Sequence, residues 1–296
     1  MTSRINYNNP GESGAFGLPY HYEMVSDQKR VGPFKRAIEK VSKGKRVLES
    51  GTGTGILSLI AARAGAKKVY AIERDPVVYK IAKANIEKSP YKRIIKLIHN
   101  DTRKVTMRDL DGEKVDVVIA ENLSTWQVTE PQVPILNYIN KNLATSHAVR
   151  IPQKIENVIQ FVSAKFDFEN LVVLRAPYFE FTGIKKAKNI SVPVVASRVD
   201  LSKQNSAKVR CALTISITQN GTLNAIRLTS PLDLGGHISF ASSDSLMPPV
   251  ILPLLEDLPV TKGQRVTIKI SYGYGADWSN FKIKAILVAQ KKGDMK

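Results

Sequence analysis

The stretch VLESGTGTGIL (residues 47–57) joins a short apolar run, three alternating glycines and the start of a second apolar run. Gly51, Gly53 and Gly55 follow the order G-x-G-x-G. Glycines in a turn between a strand and a helix let the backbone approach a ligand closely at the carboxyl edge of a sheet. The dinucleotide fingerprint G-x-G-x-x-G would need glycine where Ile56 stands. We therefore expect a ligand-binding loop of another kind.

Apolar runs and helical patterns alternate on both sides of this loop. The predicted strands are KRVLES (45–50), KKVYAIE (67–73), RIIKLIH (93–99) and VDVVIA (115–120). The predicted helices are GILSLIAARAG (55–65), PVVYKIAKANIEK (76–88) and PQVPILNYINKNL (131–143). Strands that alternate with helices indicate βαβ units and a parallel sheet. The first half of the chain is therefore predicted to be a Rossmann-like α/β domain.

Beyond Pro152 the pattern changes to β. RVTIKIS (265–271) and FKIKAIL (281–287) alternate with a period of two, and Asn220-Gly221 lies between two β-rich runs. An Asn-Gly pair in that context predicts a hairpin. We expect residues 1–150 to form a ligand-binding domain with an N-terminal helical segment, and residues 151–296 to form a β-rich, barrel-like domain.

Composition limits the classes of protein. The 296 residues are 43% hydrophobic, which allows a substantial core. No apolar run reaches the roughly 18 residues of a membrane span, and the polar N-terminus does not resemble a signal peptide. The single cysteine, Cys211, allows no intrachain disulfide and no zinc cluster, so we expect a cytoplasmic protein without a metal site. The net charge of +18 is spread over both halves and fits either a polyanion partner or a soluble basic surface.

Acidic residues follow the glycine loop and the next two strands. Glu49 precedes the first glycine by two positions, Glu73 ends the second strand, and Asp101 follows the third. With the glycines, this pattern resembles the class I S-adenosylmethionine-dependent methyltransferases. The resemblance implies S-adenosylmethionine as cofactor, with Glu49 near its amino group and Glu73 on the ribose hydroxyls. It places Asp101, with Thr102 and Arg103, near the adenine.

Two further segments resemble the protein arginine methyltransferases. HYEMVSDQKR (residues 21–30) matches that family's H-x-E-M-x-x-D-x-x-R helix, and ENLSTWQVTE (residues 121–130) places two glutamates nine positions apart after the fourth strand. The resemblance implies that Arg30 pairs with the cofactor carboxylate and Met24 contacts the sulfonium region. It implies that Glu121 and Glu130 hold a substrate guanidinium.

The two glutamates suit guanidinium chemistry on physical grounds as well. A guanidinium is planar and carries five N–H donors, so carboxylates bind it through paired hydrogen bonds. Two carboxylates draw positive charge toward two nitrogens and leave the third richer in electrons. We therefore expect methyl transfer to a guanidino nitrogen of a protein, a peptide or a small compound.

The sequence departs from the arginine methyltransferase pattern in three places. GESGA (residues 11–15) stands where that family has a tyrosine-bearing helix, and Met247 stands in the loop where it has a histidine. His237, ten residues earlier, is not expected to replace that histidine. The family's dimerisation arm is not recognisable in residues 168–186, which leaves a homodimer open.

Two alternatives remain at this stage. One is a methyltransferase acting on RNA or another nucleic acid, which the net charge favours. ENLS (residues 121–124) lacks the proline and aromatic residues with which amino-base methyltransferases stack a flipped base. The other alternative is a binding protein that retains the fold and the cofactor without turnover.

Overall fold

The computed structural model describes residues 17–288, so GESGA (residues 11–15) lies outside the described residues. Five helices precede or lie within the parallel part of the fold: α1 (Leu18–Ser26), α2 (Gln28–Val41), α3 (Ile56–Arg63), α4 (Pro76–Lys88) and α5 (Gln132–Asn142). Five strands belong to the same part: β1 (Arg46–Ser50), β2 (Lys68–Glu73), β3 (Ile95–His99), β4 (Val115–Ala120) and β5 (Ala144–Ile151).

The remaining strands follow one another without a further α-helix. They are β6 (Lys154–Ser163), β7 (Asp167–Phe168), β8 (Val172–Val173), β9 (Tyr178–Phe179), β10 (Lys188–Asn189), β11 (Val194–Asp200), β12 (Lys208–Ser216), β13 (Gly221–Thr229), β14 (Leu232–Gly235), β15 (Ile238–Phe240), β16 (Val250–Val260), β17 (Arg265–Gly273) and β18 (Lys282–Leu287). Short 3₁₀ turns lie at Thr102–Lys104, Thr125–Gln127 and Trp278–Asn280.

The first sheet has the strand order β3-β2-β1-β4-β5, and every pairing in it is parallel. Val47 and Leu48 of β1 are completely buried, as expected for a strand that helices cover on both faces. The Rossmann-like prediction is confirmed. Because the strand order reverses beside β1, the loops after β1 and β4 meet at a topological switch point, where such sheets bind ligands.

Capping residues place the helices that surround this point. The Asp75 side chain accepts hydrogen bonds from the N–H groups of Val77 and Val78, and Pro76 occupies the first turn of α4. The Asp27 side chain accepts from the N–H groups of Lys29 and Arg30 at the start of α2. Both caps fix the direction in which a helix leaves the rim of the sheet.

The second half is β-rich, as predicted, and its strand pairings are antiparallel. One sheet has the order β15-β14-β6-β13-β16-β9, with β10 and β11 also pairing with β6, and a second has the order β12-β17-β18. The predicted boundary at residue 150 falls one residue before the end of β5.

The predicted hairpin at Asn220-Gly221 is wrong. β12 pairs with β17, whereas β13 pairs with β16 and β6. The Asn220 Oδ1 atom accepts from the N–H of Lys262 at 2.8 Å, which ties the connection to the turn before β17. An Asn-Gly pair reports a local turn tendency, and here the long-range pairing with β17 separates the two strands.

Two main hydrophobic cores hold the fold together. One lies around the parallel sheet and includes Leu48 and Phe34, and the other fills the β-rich half and includes Phe161 and Ile226. Trp126, from the loop after β4, is completely buried in the second core. Burying an aromatic side chain of this size contributes about 2–3 kcal/mol, so the loop is anchored firmly between the two halves.

Within residues 17–288, no helix is both long enough and apolar enough to cross a lipid bilayer.

Candidate active site

The glycine loop sits at the carboxyl edge of the parallel sheet. Gly51 has φ +68°, and a Cβ built on it would lie 2.6 Å from the Asn122 Nδ2 atom. Gly53 has φ +57°, and its Cβ would lie 3.3 Å from the His21 ring. Side chains are excluded at both positions by conformation, and at Gly51 by space as well. The loop therefore keeps its backbone against the neighbouring segments and leaves room in front of it.

A cavity of about 120 Å³ opens at this edge. It is lined by Tyr20, His21, Met24, Ser50, Gly51, Gly53, Ile72, Glu73, Arg74, Asp75, Asn100, Asp101, Thr102, Arg103, Glu121, Asn122, Leu123, Glu130, Pro131, Ile135 and Leu246. Most of the residues singled out in the sequence therefore meet in one place. Within the described part of the chain, the lining does not include Arg30, Glu49 or Gly55.

Glu73 lies at the end of β2 and faces the cavity. Its carboxylate accepts from the N–H groups of Gly53 and Asp75, each at 2.9 Å. Burial raises the pKa of Glu73, although these backbone donors act in the opposite direction. Glu73 thus joins the glycine loop to the end of the second strand and presents a buried acceptor to the cavity.

Glu49 differs from the prediction. Its side chain is buried within β1 and accepts from the hydroxyl groups of Thr52, at 2.6 Å, and Ser58. Burial raises the pKa of Glu49 to about 7, because the charged form is disfavoured away from water. Glu49 therefore links the glycine loop to the start of α3 through hydrogen bonds and does not line the cavity.

The loop after β3 forms another wall of the cavity. The Arg103 guanidinium binds both carboxylate oxygens of Asp101, at 3.1 and 2.7 Å, and holds the pKa of Asp101 below its usual range. The hydroxyl groups of Thr102 and Ser50 lie 2.9 Å apart and connect this loop to the end of β1. All three residues predicted near the adenine thus lie together.

Arg30 binds Glu121 instead of facing the cavity. Its Nε atom donates to one Glu121 oxygen at 3.2 Å, and its Nη2 atom donates to the other. Its Nη1 atom donates to the backbone carbonyl of Met24 at 3.1 Å. Both side chains of the pair are buried, so the Glu121 carboxylate already holds a guanidinium supplied by the chain itself.

Glu130, unlike Glu121, has no guanidinium bound to its carboxylate within the described residues. Its backbone N–H donates to the Ser124 hydroxyl at 3.0 Å, but within residues 17–288 its carboxylate has no hydrogen bond or ion pair. Burial raises the pKa of Glu130 to about 7, with Arg74 lowering it and Glu121 raising it further. Glu130 is half-buried at the cavity wall, so its carboxylate is available to a ligand that supplies N–H donors.

A strained turn places Glu130. Trp126 and Gln127 both have positive φ, 57° and 52°, which is unfavourable for residues with side chains. The Trp126 indole N–H donates to the Val158 carbonyl at 3.1 Å, and its backbone N–H donates to the Ser230 hydroxyl at 2.8 Å. Packing and hydrogen bonding to the β-rich half thus hold the turn that brings Glu130 to the cavity.

A second cavity, of about 60 Å³, adjoins the first. Its lining consists of Tyr20, Leu123, Ser124, Thr125, Thr129, Glu130, Phe179, Ser245, Met247, Pro248 and Trp278. Tyr20, Leu123 and Glu130 belong to both cavities. The unpaired Glu130 carboxylate therefore lies on the wall between two adjacent spaces.

The sequence did not reveal the aromatic walls of the second cavity. Tyr20 directly precedes the helix motif that begins at His21, and this position was the one feature of the sequence that could have predicted its place at the site. Phe179 and Trp278 lie in segments without a motif. Met247 lines the cavity, and nearby Ser245 donates its hydroxyl to the Asp27 carboxylate. His237 belongs to neither lining.

The described residues contain no cluster of three or more His, Cys, Asp or Glu side chains that could hold a metal ion.

Comparisons with known proteins relate this chain to methyltransferases. A family model described as ribosomal protein L11 methyltransferase (PrmA) matches residues 35–172. An uncharacterized protein of Methanocaldococcus jannaschii is 34% identical over 89% of this chain and 95% of its own length. The arginine N(omega)-methyltransferase of Streptomyces achromogenes is 22% identical over 90% of this chain and 77% of its own length.

The fold is shared with a solved arginine methyltransferase structure. The Trypanosoma brucei PRMT1 enzyme–prozyme complex with AdoHcy superposes with a TM-score of 0.74, at 16% identity, over 92% of this chain and 99% of its own.

Proposed function

Because this chain belongs to the S-adenosylmethionine-dependent methyltransferases that resemble the protein arginine methyltransferases, we propose that it transfers a methyl group to a guanidino nitrogen. The observation that carries this proposal is the Glu130 carboxylate, which is half-buried, unpaired within residues 17–288 and shared by the walls of two cavities. A guanidinium entering from the second cavity would supply the missing N–H donors.

We assign the first cavity to the cofactor. A side chain at Gly51 would clash with Asn122, and the positive φ at Gly53 disfavours a side chain there, so the loop leaves its backbone open toward the cavity. We assign Glu73 to the ribose hydroxyls and Asp101, Thr102 and Arg103 to the adenine side. Met24 lines the same cavity, and its backbone carbonyl accepts from Arg30. When bound, S-adenosylmethionine supplies an electrophilic methyl group on a sulfonium.

We assign different roles to the two glutamates. Arg30 neutralises Glu121 and fixes its orientation, so Glu121 forms one rigid side of the clamp. Glu130 is free to accept two N–H donors from the substrate and draws positive charge toward those nitrogens. The third nitrogen keeps more electron density and faces the first cavity. Much of the rate enhancement then comes from orientation and fixed charge.

Glu130 can also take the proton that the methylated nitrogen releases. Burial brings its pKa to about 7, near the pH at which a carboxylate is still charged yet basic enough to accept a proton. With S-adenosylmethionine bound, the methyl group would pass from its sulfonium to the guanidino nitrogen, and Glu130 would accept the proton that this nitrogen releases and pass it to solvent. Met247 occupies the loop position that the resemblance gives to a histidine and offers no basic nitrogen.

The acceptor is a guanidino group in a neutral or acidic context. A chain with a net charge of +18 repels strongly cationic Arg-Gly-rich tails. The second cavity, at about 60 Å³, favours a small acceptor group such as a guanidinium. The Streptomyces relative is named for arginine itself, which supports a small or singly cationic acceptor. The lone cysteine, Cys211, favours the cytoplasm as the place of the reaction.

The test compares initial rates of methyl transfer to free arginine, a neutral peptide with one arginine, an Arg-Gly-rich peptide and bulk RNA. Each acceptor is measured at low and at physiological salt. We expect free arginine or the neutral peptide to be preferred. A preference for the Arg-Gly-rich peptide at low salt would contradict the charge reasoning. Label found only in RNA would replace the guanidino proposal with the nucleic-acid alternative, and cofactor binding without transfer to any acceptor would favour a non-catalytic role.

A further inference from the structure

One face of the sheet β12-β17-β18 carries only cationic charges. Each strand alternates between buried and exposed residues, and the exposed side chains of all three strands share one face. The charged members are Lys208 and Arg210 from β12, Arg265 and Lys269 from β17, and Lys282 and Lys284 from β18. We call these residues the cationic face. The three strands contain no Asp or Glu.

The strand register groups these cations into adjacent rows. Arg210 pairs with Ser271, which pairs with Lys282, and Ala212 pairs with Lys269, which pairs with Lys284. Neighbouring strands lie about 4.8 Å apart, and successive rows on one face lie about 6.8 Å apart. The positive charges therefore form a dense array across the sheet and not a scattered surface distribution.

This array is unfavourable for the isolated protein. Lys269 and Lys284 are direct cross-strand neighbours, and like charges in that position destabilise a sheet. Within residues 17–288, none of the six cations forms an ion pair. Other exposed basic residues of the chain do find acids, as Arg198 finds Glu156. The absence of any neutralising carboxylate points to a partner that brings negative charge.

We propose that the cationic face binds the phosphate backbone of a double-stranded nucleic acid. The hydroxyl groups of Thr214, Thr267 and Ser271 lie between the cations, and such groups also donate to phosphate oxygens. No aromatic side chain lies among the exposed residues of the three strands, so the face lacks the stacking platform typical of single-strand binding. β17 extends over about 27 Å, the length of roughly eight base pairs.

The position of the face relates it to the proposed acceptor site. The connection between β17 and β18 carries Trp278, which lines the second cavity. A duplex on the cationic face would thus lie beside the connection that forms one wall of that cavity. Substrates associated with nucleic acid would be brought near the site, whereas free cationic tails would not.

The test measures binding of fluorescent RNA and DNA duplexes of about 20 base pairs by anisotropy, between about 50 and 200 mM salt. The face variant combines Arg210→Gln, Lys269→Gln, Lys282→Gln and Lys284→Gln. The control variant combines Lys80→Gln, Lys88→Gln, Lys92→Gln and Arg93→Gln, which removes the same charge from exposed positions elsewhere. Thermal unfolding of both variants establishes that they fold.

We expect the face variant to lose at least about tenfold in duplex affinity and to reduce the salt slope by about 2–4, while the control stays within about threefold of the parent. Binding of RNA alone, DNA alone or both would each support the proposal and identify the duplex. Equal losses in the two variants would overturn it in favour of general basicity. A face that binds polyglutamate or anionic lipid vesicles in preference to either duplex would also overturn it.

Discussion

The Arg30 guanidinium and the Glu121 carboxylate form a buried, two-point ion pair that joins the start of α2 to the end of β4. The side chains are each 5% exposed, so neither charge is well solvated. Removing one partner from such a pair leaves a buried charge without compensation. The pair therefore couples the integrity of the N-terminal helices to the geometry of the proposed guanidinium clamp.

Breaking this pair should destabilise the protein strongly. We expect Arg30→Met to lower the free energy of unfolding by about 3–5 kcal/mol, measured by urea denaturation. The double variant Arg30→Met, Glu121→Met should recover part of that loss, because no unpaired charge remains. The exposed pair Arg198–Glu156 is the control, and Arg198→Met should cost less than about 1 kcal/mol. Equal costs for Arg30→Met and Arg198→Met would contradict the assignment.

Cofactor affinity should depend on Glu73. We expect Glu73→Ala to lose about 1–3 kcal/mol of S-adenosylmethionine binding, because a charged hydrogen-bond acceptor is removed. Isothermal titration calorimetry measures the loss. Glu87→Ala, which changes an exposed acid on α4, should leave the affinity unchanged. Unchanged affinity in Glu73→Ala would refute its placement at the ribose.

Glu130 should contribute to the rate of methyl transfer and not to the affinity for the cofactor. Glu130→Gln keeps the shape of the side chain and removes its charge. We expect at least about a tenfold lower kcat with nearly intact cofactor affinity, because an interaction made in the transition state is lost. Glu121→Gln should lower kcat to a similar extent, but with a loss of stability caused by the unpaired Arg30. Glu113→Gln, an exposed change, is the control.

The pH dependence of the free energy of unfolding should show whether the Glu130 carboxyl group is neutral or charged in the folded protein. Its folded-state pKa is raised from 4.5 to about 7, so the carboxyl group stabilises the fold below about 4.5 and this contribution is lost as the pH rises through about 7. We expect Glu130→Gln to raise Tm relative to the parent at pH 8 and to give a smaller difference at pH 5. The effect is on the order of 1–3 kcal/mol. A difference that does not change with pH would show that Glu130 is solvated.

Acceptor affinity should depend on Trp278. An indole beside a bound guanidinium contributes about 0.5–2 kcal/mol, so Trp278→Ala should raise KM for the acceptor by about 2- to 30-fold. Cofactor affinity should not change, since Trp278 lines only the second cavity. Leu255→Ala removes a highly exposed apolar side chain elsewhere and serves as the control. An unchanged KM in Trp278→Ala would place the acceptor outside the second cavity.

Local features of the sequence predicted β1 to β4 and α3 to α5 of the parallel half, but not β5. The strands and helices around the glycine loop are found where their apolar periodicity and caps place them, because each signal lies within a few residues of the element that it specifies. The glycine loop and Glu73 were recognisable for the same reason. Parallel strands end at a common edge, so residues that follow them meet without further information.

Only the tertiary structure decided which of these residues face the cavity. Glu49 and Arg30 are the residue types expected at a cofactor site and lie in the expected segments. The Glu49 carboxylate nevertheless accepts from Thr52 and Ser58. The Arg30 guanidinium donates to Glu121. A carboxylate or a guanidinium turns toward whichever partner lies within reach, and that depends on packing. The strands on either side of Asn220 do not pair with each other for a comparable reason: β12 pairs with β17 and β13 pairs with β6, both distant in the chain.

The second cavity belongs wholly to the tertiary structure. Tyr20, Phe179 and Trp278 lie in three widely separated segments and share no spacing that a sequence pattern could show. The charge of the chain was visible in its composition, but its concentration on one sheet face depended on the antiparallel register of β12, β17 and β18. Residue type determines the chemistry of a side chain, and the long-range pairing of strands determines which groups that side chain contacts.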